Sequence, residues 1–132
     1  MIFLTFDDIC RINKEWIERY GGRYVAVDNN LRNRTSLEYI IVAIQYPLFG
    51  YERFPTLFDK AGALAWWIIE GHIFWDGNKR TGMQSLIELL ELNGITNIFD
   101  SDSTIAIALS VADGSMSLQE LIEIIPMYIK IQ

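Results

Sequence analysis

Near the middle of the chain, residues 71–82 read Gly71-His72-Ile73-Phe74-Trp75-Asp76-Gly77-Asn78-Lys79-Arg80-Thr81-Gly82. The segments on either side have helical spacing, one from Thr56 to about Gly71 and the other from about Lys79 to Leu92. The first carries apolar side chains on nearly every face, which is typical of a helix at the buried centre of a domain. We therefore expect residues 71–82 to connect two buried helices.

Helix signals outside this pair predict four more helices. A capping box, which marks a helix start, has a Ser or Thr followed three positions later by an acidic residue. Three pairs have this spacing: Thr5 with Asp8, Thr56 with Asp59, and Ser117 with Glu120. The predicted outer helices run from Thr5 to Gly21-Gly22, from Thr35 or Ser36 to just before Pro47, from about Asp102 to Ala112, and from Ser117 onward, with Pro126 kinking or ending the last.

Two segments are predicted to lie outside the helices. Residues 46–55 contain two prolines and Gly50, which indicates an exposed loop. Residues 95–99 follow the helix stop Asn93-Gly94 and are predicted to form a short strand. The sequence thus predicts an all-α fold, a bundle of about six helices with a buried central helix and room for one minor pair of short strands.

The composition fits a single domain spanning residues 1–132. Apolar residues make up 51% of the chain, enough for a core without a disulfide or a structural metal. The net charge of −6 argues against broad DNA or RNA binding, which requires a basic surface. Cys10 is the one cysteine of the chain and has apolar neighbours, so we expect it to be buried. We also expect a cytoplasmic, soluble protein, because the sequence has a single cysteine, no signal peptide and no apolar run long enough to span a membrane.

The connection between the two central helices has the features of an anion site. The first N–H groups of a helix have no backbone partners, and the helix dipole favours negative charge beside them. Gly77 and Asn78 are residue types that tolerate left-handed backbone angles, which let successive N–H groups converge on a phosphate. Lys79 and Arg80 add two cations, and arginine can contact phosphate oxygens at two points.

Two further residues of this connection bear on catalysis. His72 is the only histidine of the chain, and imidazole can accept a proton near neutral pH, for example from an attacking hydroxyl. Asp76 is a carboxylate among phosphate-binding groups, where a bridging Mg²⁺ would relieve the repulsion. Phe74 is expected to anchor the loop in the core. Each residue alone has an ordinary structural explanation, so the functional interpretation depends on their combination.

The run from His72 to Thr81 resembles the signature of the Fic/Doc family, most closely its Doc branch, in which His-x-Phe-x-Asp-Gly/Ala-Asn-Lys-Arg-Thr lines a nucleotide site. Every fixed position of that pattern is present. Other segments that look like parts of the family are Arg19-Tyr20-Gly21-Gly22, Leu57-Phe58-Asp59-Lys60-Ala61, Leu92-Asn93-Gly94 and Phe99-Asp100-Ser101.

The resemblance implies a nucleotide-dependent transferase. Fic proteins typically transfer AMP from ATP to a protein hydroxyl, and their motif has a Gly where this chain has Lys79 and an Arg where it has Met83. Doc proteins share both differences from the Fic motif. They are thought to bind the nucleotide in the orientation opposite to that in Fic proteins, so that the terminal phosphate is transferred. Lys79 would fill space that the Fic glycine leaves open.

The family's roles carry over position by position. His72 would be the general base and Asp76 the Mg²⁺ ligand, and the nucleotide and phosphate site would comprise Phe74, Gly77, Asn78, Lys79 and Arg80. The cofactors implied are ATP and Mg²⁺. The implied protein substrate is a threonine of elongation factor Tu, whose modification blocks protein synthesis.

The resemblance also implies a partner. Doc toxins pair with an antitoxin whose tail folds beside the active site and inhibits in trans, and this chain has no Ser/Thr-x-x-x-Glu-Gly/Asn inhibitory motif of its own. The implied partners are therefore this antitoxin and the protein substrate, with no membrane and no direct nucleic-acid contact.

Two other functions remain open at this stage, an AMP or other nucleotidyl transferase and an inactive binding protein with the same fold. Trp75 is bulky where the family commonly has polar residues, and it is expected to face the target or the nucleotide. The loop 46–55 lies where the family presents a flap that aligns the target, and its aromatics suit that role, although a packed loop without function fits as well.

Overall fold

The computed structural model describes residues 1–130, which form six α-helices and one 3₁₀ turn. The elements are α1 (Phe6–Tyr20), α2 (Arg34–Gln45), α3 (Leu57–Glu70), α4 (Asn78–Leu92), α5 (Ser101–Ala112), α6 (Leu118–Ile124) and the 3₁₀ turn Ile125–Tyr128. Within residues 1–130 there is no β-sheet, only isolated bridges. The predicted all-α class is confirmed.

Helix α3 lies at the centre of the molecule. It contacts α2, α4, α5 and α6, and its most extensive packing is against α4. Every residue from 60 to 65 is buried, and most of these are small, so that neighbouring helices can approach closely. The expectation that an all-round apolar helix forms the buried centre is therefore confirmed.

Most helix ends lie where the sequence signals place them. The three predicted capping boxes form, with Thr5, Thr56 and Ser117 each accepting a hydrogen bond from the backbone of the paired acidic residue. Helix α4 begins at Asn78. Helix α6 ends at Ile124, and Pro126 lies in the 3₁₀ turn that follows, as expected of a residue without a backbone N–H.

Helix α5 begins at Ser101, within one residue of the predicted start at about Asp102, and Asp100 forms a capping box with Ser103. Two local predictions are wrong. Asn33, rather than Thr35 or Ser36, caps α2, because its side-chain oxygen accepts from the Ser36 N–H. In place of the predicted strand 95–99 the structure has one isolated bridge between Asn97 and Ile129. The short extended segment at Ile129 is its one partner within residues 1–130, and there is no sheet for it to join.

The close approach of α3 and α4 depends on Gly82. A Cβ at this position would lie 2.7 Å from Ile69 Cγ1 and 2.9 Å from the carbonyl oxygen of Ala65. Both distances are shorter than van der Waals contact, and the Ala65 oxygen belongs to a helix backbone that cannot move aside. The absent side chain at Gly82 therefore sets how closely the two helices that flank the connection pack.

Residues 46–55, which we name the flap, form an exposed hairpin turn. Leu48 and Tyr51 exchange two backbone hydrogen bonds of 2.9 Å, and Phe49 and Gly50 between them both have positive φ. This is the geometry of a tight two-residue hairpin turn. Phe49 at the tip is fully exposed, whereas Phe54 at the base is buried in the core.

A buried lysine ties the flap to the helices. Lys60 is 3% exposed, and its Nζ donates to the carbonyl oxygen of Ile44 in α2 and to Glu52 Oε1 in the flap, the latter at 3.1 Å. A charged group taken out of water requires such partners. The pair therefore fixes the base of the flap against the end of α2 and the start of α3.

Two remaining expectations concern Cys10 and the membrane. Cys10 is buried, and burial raises the pKa of its thiol to about 11, so it acts as a core residue as expected. None of the helices in residues 1–130 combines the length and the apolar character needed to cross a bilayer.

We expect Gly82→Ala to lower the free energy of unfolding by about 1–3 kcal/mol, because the added methyl overpacks the α3–α4 contact. Intrinsic helix propensity predicts the opposite sign, a gain of about 1 kcal/mol. Gly62→Ala is the matched control, since its added Cβ would come closest to the movable side chain of Ile122. The measurement is the free energy of unfolding of both variants in urea. A Gly82→Ala protein that is more stable than wild type would contradict the inference that an added methyl overpacks the α3–α4 contact.

Candidate active site

The connection from α3 to α4 is clamped by the side chain of Asn78. Its Oδ1 accepts from the Phe74 N–H and its Nδ2 donates to the Phe74 carbonyl, both at 2.8 Å. The Phe74 ring is 1% exposed and lies in the core. The expected anchoring role of Phe74 is therefore confirmed. Its side chain is not among those that line the cavity described below, and its assignment to the nucleotide site stays a prediction.

A second set of hydrogen bonds fastens the connection to the segment before α2. The N–H groups of Arg32 and Asn33 both donate to the Ile73 carbonyl, at 2.8 and 3.0 Å. The Trp75 N–H donates to the Asn30 carbonyl at 2.9 Å. With the backbone of residues 73–75 held in this way, His72 takes a left-handed conformation (φ 46°) and its side chain faces the solvent-accessible side.

Beneath the connection lies a buried network of two asparagines. Asn13 of α1 donates to the Asp76 carbonyl at 2.9 Å and to Thr81 Oγ1 at 3.1 Å. Its Oδ1 accepts from Asn30 Nδ2 at 3.0 Å, and Asn30 Oδ1 accepts from the Val25 N–H at 2.7 Å. Both asparagines are fully buried, so this network joins α1, α4 and the loop after α1 at one point.

The carboxylate of Asp76 is oriented by two backbone donors. Oδ1 accepts from the Gly77 N–H and Oδ2 from the Arg23 N–H, each at 2.8 Å. The approach of Arg23 depends on Gly22, because a Cβ there would lie 2.8 Å from Asp76 Oδ2 and the residue has a φ of +133°. Gly22, predicted only as a helix stop, therefore also makes room for the carboxylate.

The start of α4 presents donors in the manner expected of an anion site. Gly77, the N-cap, is left-handed with a φ of 78° and makes no side-chain cap bond. The Thr81 N–H bonds back to the Gly77 carbonyl, so the N–H groups of residues 78–80 precede the first intrahelical bond. The predicted nest at Gly77 and Asn78 thus lies at a helix N-terminus, where the dipole favours an anion.

The predicted site residues converge on one cavity of about 530 Å³. From the connection and α4 it is lined by His72, Trp75, Asp76, Gly77, Asn78, Lys79 and Arg80. Helix α1 contributes Trp16 and Ile17, and α5 closes the cavity with Thr104, Ile105, Ala108, Leu109 and Ala112. Six of the seven residues predicted from the motif line this cavity, the exception being Phe74.

The cations of the cavity are available to a ligand. Within residues 1–130, neither Lys79 nor Arg80 takes part in an ion pair. The Arg80 guanidinium lies 4.6 Å from the ring centroid of Tyr20 and 5.7 Å from that of Trp16, which stack on each other. These rings restrict the guanidinium without neutralising it.

A second pair of basic residues close together in the sequence, Arg32 and Arg34, differs from Lys79 and Arg80 because one of its members is in ion pairs. The Arg34 guanidinium binds both carboxylate oxygens of Asp28 and also reaches Glu38. Its hydrogen bond to Asp28 holds the pKa of that carboxyl below its usual value. Arg34 is therefore neutralised, and only Arg32 of this pair remains unpaired among the described residues.

The donor set fits a magnesium ion bound together with phosphates. No group of three or more His, Cys, Asp or Glu side chains in residues 1–130 is arranged to hold a metal without help. Asp76 is the one carboxylate that lines the cavity. Mg²⁺ commonly takes one or two carboxylates with the rest of its shell from phosphate and water, which is what this cavity offers.

Comparison with known proteins agrees with this geometry. The family model described as "Fic/DOC family" matches residues 3–90, which include α1, the flap, α3 and the whole cavity-lining connection. The chain belongs to the Fic/DOC family. Within that family it is 27% identical over 121 residues to "Protein kinase doc" of Escherichia phage P1, an alignment that covers 92% of this chain and 90% of the relative. It is 31% identical over 83 residues to "Toxin Doc" of Mycolicibacterium smegmatis, covering 63% of this chain and 60% of that relative.

Several residues that support or line the candidate site of this Fic/DOC chain were not found from the sequence. Asn13 and Asn30 lie far from the motif along the chain, and no local pattern joins them to it. A signal did exist for Asn13, because it falls on the apolar face of α1 between Ile12 and Ile17, where a polar residue requires an explanation. The α5 wall carries no polar motif and becomes visible only when the helices are assembled.

We expect Asn13→Leu to lower the free energy of unfolding by roughly 3 kcal/mol, since each buried polar group left unpartnered costs about 1–3 kcal/mol. The change removes the partner of Asn30 Nδ2, of the Asp76 carbonyl and of Thr81 Oγ1. Asn97→Ala, at a partly exposed position outside the cavity, is the control. The measurement is urea unfolding, and an unchanged midpoint for Asn13→Leu would show that the network is not structural.

Proposed function

We propose that this chain is a Doc-type toxin, a Mg-ATP-dependent kinase that transfers the terminal phosphate of ATP to a threonine hydroxyl of a translation factor and thereby blocks protein synthesis. Elongation factor Tu is the proposed target. The observation that carries the proposal is that one base, one oriented carboxylate, a helix N-terminus and two unpaired cations line the same cavity. The names of the relatives, a protein kinase and a toxin, support the coarser part of it.

The proposed reaction requires a base, and His72 is the residue suited to it. Its imidazole accepts the proton of the acceptor hydroxyl as the hydroxyl oxygen forms a bond to the terminal phosphorus. The bond from that phosphorus to the bridging oxygen breaks, and ADP leaves with the bond's electron pair. Hydrogen bonds fix the backbone of residues 73–75 beside His72, which favours a reproducible position for the base.

The remaining groups hold the phosphates. The N–H groups at the start of α4, together with Lys79 and Arg80, are placed to stabilise the negative charge on the phosphate oxygens. A magnesium ion at Asp76 would supply further charge neutralisation between phosphate groups. Both oxygens of Asp76 accept from backbone donors, which fixes the orientation of the carboxylate that would hold the ion.

Two residues favour phosphoryl transfer over nucleotidyl transfer. Lys79 lines the cavity and occupies volume that a glycine would leave for the phosphate nearest the nucleoside. Met83, at the position of the last Fic arginine, is completely buried in the core and offers no cation to the cavity. The orientation of ATP that places its terminal phosphate at His72 is therefore the one we propose.

The flap and the α5 wall are proposed to bind proteins. The flap presents an exposed hairpin tip at Phe49, held at its base by Lys60, and we assign it to alignment of the target segment. Buried Phe54 takes no part in that contact. The exposed Ile105 and Leu109 beside the cavity are assigned to the tail of an antitoxin that inhibits in trans.

The first test incubates the protein with elongation factor Tu, magnesium and ATP labelled on either the terminal or the innermost phosphate. We expect label from the terminal phosphate alone, and one added phosphate in the intact mass of the factor, because Lys79 disfavours the other orientation. The His72→Ala protein should transfer nothing while keeping its fold, since His72 is exposed and makes no core contact. Label from the innermost phosphate would instead establish a nucleotidyl transferase, and wild-type turnover by His72→Ala would exclude this residue as the base. No label from either would contradict the choice of target, and a lysate-wide screen against His72→Ala would then separate another target from an inactive binder.

We expect Asp76→Asn to raise the magnesium concentration needed for half-maximal transfer by roughly tenfold or more, the range typical of a disturbed ligand shell. The substitution removes the charge while keeping the size of the side chain. Asp7→Asn, the same change at an exposed site in the first turn of α1, is the control. An unchanged magnesium dependence for Asp76→Asn would remove this residue from the metal site.

A further inference from the structure

Trp75, whose role the sequence leaves open, lies at the rim of the cavity in contact with two arginines. Its side chain is 43% exposed. The guanidinium of Arg23 lies 5.1 Å from the ring centroid and that of Arg32 lies 5.7 Å from it. Both distances are within the range of cation–π attraction, so two cations from separate parts of the loop between α1 and α2 meet on one indole.

The backbone of all three residues is fixed. The Trp75 N–H donates to the Asn30 carbonyl, the Arg32 N–H donates to the Ile73 carbonyl, and the Arg23 N–H donates to Asp76 Oδ2. A guanidinium held over a ring keeps its N–H edge free to bind a carboxylate at two points. The two arginines are therefore held in place before any ligand arrives, which reduces the entropy lost on binding.

The charge of these arginines is not neutralised by the described part of the chain. Neither Arg23 nor Arg32 forms an ion pair in residues 1–130, whereas Arg11 and Arg34 each bind two carboxylates. Asp76 contacts Arg23 through the backbone N–H rather than through the guanidinium. Both arginines are exposed, so their guanidinium groups are accessible to an external anion.

The nucleotide is the less suitable anion for this surface. Its phosphates already have the N-terminus of α4 with Lys79 and Arg80, on the α4 side of the connection. Its base would compete with the two guanidinium groups for the Trp75 ring. A carboxylate-bearing segment at the rim competes with neither. Trp75 lines the same cavity as His72, so a protein that brings its hydroxyl to His72 lies close to this surface.

We infer that Trp75, Arg23 and Arg32 form a recognition surface for an acidic segment of the acceptor protein, next to the hydroxyl that is modified. The inference rests on the proposed function for the existence of an acceptor and adds the chemistry by which it is selected. It predicts that acidic residues close to the acceptor threonine raise affinity, chiefly through the rate of encounter, and that added salt weakens this effect.

The first measurement is binding without turnover. A fluorescein-labelled peptide with a threonine flanked by three glutamates on each side is titrated with wild type and with Arg23→Gln/Arg32→Gln, which keeps the backbone donor to Asp76. We expect the double variant to bind about tenfold more weakly, the sum of two modest charge contacts. Lys14→Gln/Lys130→Gln removes the same charge at exposed positions outside the cavity and should bind the peptide like wild type. A control peptide flanked by glutamines should bind equally to wild type and to the arginine double variant. Equal binding by wild type and the arginine variant, or an equal loss in the lysine control, overturns the inference.

The second measurement is steady-state transfer to the acceptor protein. The arginine double variant should raise the KM for the acceptor by about tenfold, with a much smaller change in the KM for ATP, and should lose most of the salt dependence of the wild-type KM. A rise confined to the KM for ATP would assign the arginines to the nucleotide and overturn the inference. Absence of transfer by wild type would count against the proposed function alone, because the peptide titration still decides the surface.

Discussion

The site depends on one constraint, the short connection that must reverse the chain between two closely packed helices. Residues 71–77 join α3 to α4, and Gly82 lets these two helices pack closely. The connection turns with left-handed angles at His72 and Gly77. The exposed imidazole of His72 lies in this connection, and the first N–H groups of α4 follow directly after it. The proposed base and the proposed anion site therefore belong to one structural element.

Hydrogen bonds from asparagine side chains hold the backbone of this connection. Asn78 binds both the N–H and the carbonyl of Phe74, and Asn13, itself bound by Asn30, donates to the Asp76 carbonyl. Burying these amides is costly unless every donor and acceptor is matched, and in this network they are matched with good distances. An apolar filler would pack equally well but would not specify the backbone path. The polar network is therefore what makes the position of His72 and Asp76 reproducible.

The sequence predicts some parts of this arrangement well, because they depend on neighbouring residues. Capping boxes at Thr5, Thr56 and Ser117 and the start of α4 are local events, and the motif residues that line the cavity lie within one connection. What it misses depends on contacts between distant segments. Arg23 reaches Asp76 across the fold, and the α5 wall becomes part of the cavity only through helix packing. The burial of the Phe74 side chain likewise depends on helix packing, because a motif gives proximity along the chain but not the direction of a side chain.

The distribution of charge connects the site to its ligands. Away from the cavity some cations are used internally: Arg11 and Arg34 bind carboxylates, and Lys60 holds the flap. At the cavity and its rim, Lys79 and Arg80 are unpaired within the described residues and lie where a ligand has access. Pairing Arg80 with aromatic rings rather than with a carboxylate retains its full charge while restricting its motion, so that little reorganisation is needed when an anion binds. An acidic protein can in this way keep one anion-attracting surface despite its overall negative charge.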